Sequence, residues 1–212
     1  MQLIDFKRNH IDMFLRRLTI FSLLILGSVA ISSCSSFHVT PDTHNYHYLS
    51  WPERLKQLKN LDQWQIQGSL SIRQGNDSDI AYYSWQQNKD IYQIHLSGPL
   101  NLGSIYINGN SEEVTLIKSQ KEKYSAKTPE KLLQKTVGWS LPISGLVYWI
   151  KGMPSPNTPY SLKLGSYNHL TYLKQQGWII QYPDFTVQNG IDLPQKLTLQ
   201  KADLKIKIIV KD

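Results

Sequence analysis

Apolar and polar side chains alternate with a period of two from residue 64 onward. Trp64, Ile66, Gly68, Leu70 and Ile72 fall on one face and Gln65, Gln67, Ser69 and Ser71 on the other. That period marks a strand buried on one side only. Runs of the same kind follow at 80–86, 92–96, 103–107, 114–118, 123–126, 161–164, 170–173, 178–182, 196–199 and 204–210. The gaps carry turn residues such as Gly75, Asn76 and Asp77, then Asn88, Lys89 and Asp90, then Asn108, Gly109 and Asn110. Such gaps suit hairpins, and the chain reads as an antiparallel meander of ten or eleven strands. A sheet that long must curl to bury its apolar face and protect its edges. A single domain is the simplest outcome.

Three stretches break the two-residue period. Ser50, Trp51, Pro52 and Glu53 combine a capping residue, a first-turn proline and a Glu three places on, which predicts a helix ending near Leu61, with Trp51, Leu55 and Leu58 on one face. A second helical stretch opens at Thr128, Pro129 and Glu130, runs through Leu132, Leu133 and Val137, and stops at Gly138. A short apolar piece at 143–150 ends before Gly152 and Pro154. These helices are available to cover the hollow of a curved sheet. Patterning alone leaves open whether they enclose a cavity or pack solidly on it.

The N-terminus is of a different character. Residues 18–31 contain no charge, follow Arg16 and Arg17, and lead into Ser32, Ser33 and Cys34. That is the layout of an export signal, and fourteen residues are too few for the roughly 20 needed to span a bilayer. Residues 1–33 are therefore expected to be removed. Two acids precede the arginine pair in residues 1–12, an awkward opening for such a signal, so translation is expected to start at Met13. Residues 34–48, rich in Ser, Thr, Pro and His, are expected to be a tether, and residues 49–212 the folded domain. His38, His44 and His47 in or beside the tether are expected to be solvated and to hold no metal, because no Cys or acidic pair accompanies them.

Composition narrows the chemistry. Hydrophobic residues make up 41% of the chain, enough for a sizeable core, and charged residues only 18%. Without residues 1–33 the formal net charge falls from +7 to +5, too mild to name a partner. A single cysteine excludes an internal disulfide and a multi-cysteine zinc site. There is no nucleophile elbow, no phosphate-binding glycine loop and no His-Glu-x-x-His helix, so catalysis has no evident seat. Asp77 and Asp79 read as turn residues, and His95 and His169 as ordinary structural histidines. No cofactor, metal or nucleic acid is expected, and the expected state is a monomer.

Several motifs in order carry a resemblance. Ile31, Ser32, Ser33 and Cys34 resemble a bacterial lipobox, in which the cysteine becomes a lipidated N-terminus, although Ser33 stands where Gly or Ala is commoner. Trp64-x-Ile66-x-Gly68, the run Tyr83, Ser84, Trp85 and Gln86, the turn Ser97, Gly98, Pro99 and Leu100, then Gly138-x-x-Leu141-Pro142, Leu146-x-Tyr148-Trp149-Ile150-x-Gly152, Gln176-Gly177-Trp178 and Leu193-Pro194 follow. Together they resemble the LolB family of outer-membrane lipoprotein receptors across nearly all of the mature chain.

The resemblance implies an unclosed antiparallel β-barrel of about 11 strands, covered by a lid of short helices around an apolar cavity. It implies a non-enzymatic protein, anchored through Cys34 to the outer membrane and facing the periplasm, Ser35 after the cysteine giving no signal for inner-membrane retention. Such a protein takes acylated lipoproteins from the periplasmic carrier LolA and inserts them among outer-membrane lipids. Leu100, after Pro99, matches the family's membrane-insertion loop, with Asn101 departing from the usual Gly. The expected cavity wall is Tyr83, Trp85, Ile94, Leu96, Ile105, Ile107, Trp149, Trp178 and Ile180. Two alternatives stay open: a scaffold lipoprotein of an outer-membrane assembly, and a protein that sequesters a small lipid in the manner of a lipocalin.

Overall fold

The computed structural model of the chain describes residues 45–101, 103–119, 122–138 and 140–211. Met13, Cys34, His38 and His44, and with them the expected signal and most of the tether, lie outside the described residues. Eleven strands form one antiparallel sheet: β1 (Gln63–Gln74), β2 (Asp77–Asn88), β3 (Ile91–Ser97), β4 (Ile105–Gly109), β5 (Val114–Ser119), β6 (Glu122–Ala126), β7 (Tyr160–Leu164), β8 (Leu170–Gln175), β9 (Trp178–Gln188), β10 (Ile191–Lys201) and β11 (Leu204–Lys211). Their order is β6-β5-β4-β3-β2-β1-β11-β10-β9-β8-β7. Consecutive strands therefore pair, except β6 and β7, and the first and last strands join in the middle. The two edges are β6 and β7, which leave the barrel unclosed. The chain between them carries α2 (Pro129–Val137) and α3 (Ile143–Trp149), whereas α1 (Trp51–Lys59) precedes the sheet.

The expected alternation sets the register. Ile66 lies opposite Trp85, Gly68 opposite Tyr83 and Leu70 opposite Ala81 on the inner face of β1 and β2. Gly68 is required by close approach rather than by a turn: a Cβ there would sit 1.9 Å from the Ile209 carbonyl oxygen, and the bare backbone lets the Tyr83 hydroxyl donate to that oxygen at 3.3 Å. The inner face and the two lid helices share one core, which includes Leu70, Trp85, Leu116, Leu133, Leu146, Trp149, Leu173 and Ile206.

The C-terminal half departs from expectation in one place. The strand expected at 178–182 continues to Gln188, and its partner begins at Ile191 rather than 196. Pro183, Pro194 and the Asn189–Gly190 pair make this stretch read as loop. The strands accommodate it with register shifts between Pro194 and Lys196 and between Lys196 and Thr198, and bulges are where a sheet tolerates proline.

Candidate functional site

The lid and the sheet meet over an interior lined by apolar side chains. Leu70, Tyr83, Trp85, Ile94, Leu96 and Ile208 rise from β1, β2, β3 and β11, and Leu141, Leu146 and Ile150 descend from the lid. Polar atoms on these walls are drawn elsewhere. The Trp85 indole N–H donates to Gln87 Oε1 at 2.9 Å, and the Tyr83 hydroxyl is held by the Ile209 carbonyl. Burial pushes the Tyr83 phenol pKa far above its ordinary value, so the wall stays uncharged.

The apolar cavity expected under the lid is nearly filled in this structure. The void between sheet and lid has a volume of about 10 Å3, room for about one water. A ligand pocket ordinarily needs roughly 300 Å3 or more. The physical reason is the lid itself: unfilled apolar space is costly, and Leu141, Leu146 and Ile150 settle into it. Of the expected wall residues, Tyr83, Trp85, Ile94 and Leu96 line this void. Ile107, Trp149, Trp178 and Ile180 are buried in the surrounding core without bordering it, and Ile105 is only partly buried against that core. Leu70, Ile208 and the three lid residues were not foreseen as wall. The inward phase of β1 and β11 was legible for the first two, but no local signal says which lid residue points down.

Both lid helices are anchored in the core, α2 through Leu132 and Leu133 and α3 through Trp149. Trp149 on α3 is fully buried and donates to Gln175 Oε1 at 2.9 Å, an oxygen that also accepts the Ser155 amide at 2.9 Å, while the amide nitrogen of Gln175 donates to the Ser155 and Thr158 carbonyls. Gly145, one helical turn before Trp149, leaves room for the indole, since a Cβ there would lie 2.6 Å from it. The polar ties of α2 lie at the surface: Lys118 donates to the Thr136 carbonyl at 2.8 Å, and Glu130 Oε1 accepts the Ser144 amide at 2.8 Å. Gly138, with φ of 84°, ends α2 in the left-handed conformation.

Leu100 stands at the end of β3. It is 92% exposed and holds φ 58° and ψ 26° in the short 3-10 turn Pro99–Asn101. A leucine in the left-handed region costs about 1–2 kcal/mol, and its exposed side chain gains nothing from the core. Strain and exposure together at one residue point to a function for it.

One cluster was missed. Asp192, fully buried, accepts the His169 Nε2–H at 2.8 Å, the His47 amide at 3.0 Å, the His47 Nδ1–H at 3.1 Å and an Arg54 guanidinium N–H at 3.2 Å. Arg54 also donates to the carbonyls of His47 and Tyr167. Burial pushes the Asp192 carboxyl upward, but the bonds from His169 and His47 and the Arg54 charge outweigh it and leave the group below its ordinary value. His47, solvent-exposed as expected, is also a clasp between the start of the described residues and the sheet. The apolar face of α1, with Trp51, Leu55 and Leu58, was legible; that Arg54 meets a buried acid 138 residues away was not.

The fold defines a class, the unclosed antiparallel barrel with a helical lid. It is similar to a LolA superfamily protein from Nitrosomonas europaea, with a TM-score of 0.51 at 9% identity over 77% of this chain and 92% of that one. A DUF1329 family protein from Desulfovibrio piger shares it at a TM-score of 0.53 and 6% identity, over 76% and 89% of the two chains. The sequence matches the family described as "Outer membrane lipoprotein LolB" over residues 62–212. Proteins named outer-membrane lipoprotein LolB are 38% identical in Coxiella burnetii, over 89% of this chain and 90% of that one, and 38% identical in Pseudomonas savastanoi, over 94% and 96%. The chain belongs to the LolB family of outer-membrane lipoproteins.

Proposed function

We propose that this protein, anchored through lipidated Cys34, receives acylated lipoproteins from the periplasmic carrier LolA, shelters their acyl chains beneath α2 and α3, and inserts them into the inner leaflet of the outer membrane. The observation that carries the reading is the apolar interior under the lid, its wall tryptophan and tyrosine hydrogen-bonded away from it. Exposing acyl chains to water costs about 0.8 kcal/mol per methylene, so cargo needs a continuous apolar path. Loading exchanges contacts between lid and sheet for contacts between tail and wall. The lost lid contacts are subtracted from the affinity, which makes the domain a weaker host than a bilayer and lets transfer proceed downhill without nucleotide. Leu100 begins the final step by entering the lipid.

The test is Leu100→Glu. The side chain is solvated and the backbone conformation equally accessible to Glu, so the variant should keep the wild-type unfolding midpoint and still accept lipoprotein from the carrier. It should fail to deliver cargo to liposomes, because a charge in the hydrocarbon region costs several kcal/mol. Delivery at the wild-type rate would remove Leu100 from the mechanism. Mass spectrometry finding a free fatty acid rather than acylated protein in the isolated domain would favour lipid sequestration instead.

A further inference from the structure

Leu100 is not alone in leaving apolar surface in water. Ile80 and Tyr82 on β2, Tyr106 on β4 and Ile209 on β11 are 56%, 50%, 49% and 40% exposed. Cross-strand pairing places all four on the outer face of the sheet. Ser69 lies opposite both Ile209 and Tyr82, Tyr82 opposite Ser97, Ser71 opposite Ile80, and His95 opposite Tyr106, against which its ring stacks at 4.4 Å. Ser97 is two residues before Pro99, so the strip runs up to the Leu100 turn.

The charges on this face have one sign. Strands β11, β1, β2, β3, β4 and β5 contain two carboxylates, Asp77 and Asp79, and both alternate with Ile80 and Tyr82 and so belong to the other face. Arg73 lies opposite Lys205, and Lys207 opposite Ser71, on the outer side. Tyrosines and isoleucines flanked by cations and free of carboxylates match a membrane surface bearing anionic headgroups.

We propose that the outer face of β11, β1, β2, β3 and β4 is a membrane-resting surface for anionic phospholipid, which lays the barrel on its side with Leu100 at the leading edge. The inference rests on the assignment of Cys34 as anchor and Leu100 as inserting residue. With Cys34 lipidated, a cysteine introduced elsewhere is the sole free thiol.

The experiment uses the full lipidated protein in phosphatidylethanolamine and phosphatidylglycerol vesicles, with an environment-sensitive dye on Leu100→Cys, Tyr82→Cys, Tyr106→Cys or, as a control on β8, Lys174→Cys. Brominated lipid should quench the dye at 100, 82 and 106 and leave 174 unquenched. Omitting phosphatidylglycerol should reduce quenching at 82 and 106. Quenching at 100 without 82 and 106 would overturn the side-on surface and leave the delivery reading intact. No quenching at 100 while delivery proceeds would overturn the delivery reading itself. Protection of 82 and 106 by soluble LolA alone, with no lipid response, would make this a protein-docking face and overturn the proposal.

Discussion

Arg54 and Asp192 meet at 3.2 Å with side chains 2% and 0% exposed, so neither charge can be removed alone without stranding the other. Asp192→Asn should lower unfolding stability by about 3–5 kcal/mol in urea titration, the cost of an uncompensated buried cation. The same cluster sets a pH dependence. Burial pulls the His169 pKa below its ordinary 6.5 against the opposing hydrogen bond to Asp192, so the folded state holds this imidazole neutral. The stability linked to His169 is complete above about pH 6.5 and is lost as pH falls through its lowered folded value, since the unfolded chain then binds the proton more readily. Asp192 adds a second loss below about pH 4 by the same sign. Urea midpoints measured against pH should show both steps, and His169→Gln, which can still donate to Asp192, should erase the upper one. None of this was readable along the chain. His47, Arg54, His169 and Asp192 sit in four unrelated local patterns, and only the packing of β10 against the first described residues joins them.

At the level of single elements, local rules worked wherever a repeat period was uninterrupted. β1 announces itself through five inward positions from Trp64 to Ile72, and α1 through the bond from the Ser50 amide to Glu53 Oε2 at 2.9 Å. They failed at β9 and β10, because a bulge spends a proline that a regular strand could not carry, and tertiary pairing overrides the local signal. Gly68 shows the same dependence on partners. Its sequence position suggests only a gap in the inner face, whereas the pairing makes it the place where β1, Tyr83 and Ile209 crowd together. Gly68→Ala should therefore destabilise by about 3 kcal/mol, the upper end of ordinary overpacking, because the obstructing atom is a ladder carbonyl. An equal or higher thermal midpoint for that variant would contradict the packing described.

For the molecule as a whole, the lidded barrel was legible from strand count, helix placement and resemblance, but the state of its interior was not. Hydrophobic patterning names the residues that face inward; it does not say how closely they approach, and here Leu141, Leu146 and Ile150 nearly fill the space. Under the proposed function, loading displaces part of the lid. These three residues lie on α3 or flank it, so the stretch from Leu141 to Ile150 is the part that must shift, about the anchor of the buried Trp149–Gln175 bond. Amide hydrogen exchange from Leu141 to Ile150 should accelerate several-fold when a triacylated peptide is bound, with β1 and β11 unchanged. Exchange that speeds up in β1 and β11 instead would place the opening in the sheet.

The unpaired seam between β6 and β7 bears on how much a single protein of this design can hold. A sealed ring of strands has a bore dictated by its strand number and stagger. A split ring spreads at its gap without breaking a ladder hydrogen bond, so its girth follows what is put inside. Under the proposed function, substrates with one, two or three tails call for different widths of the same clip, not for different receptors.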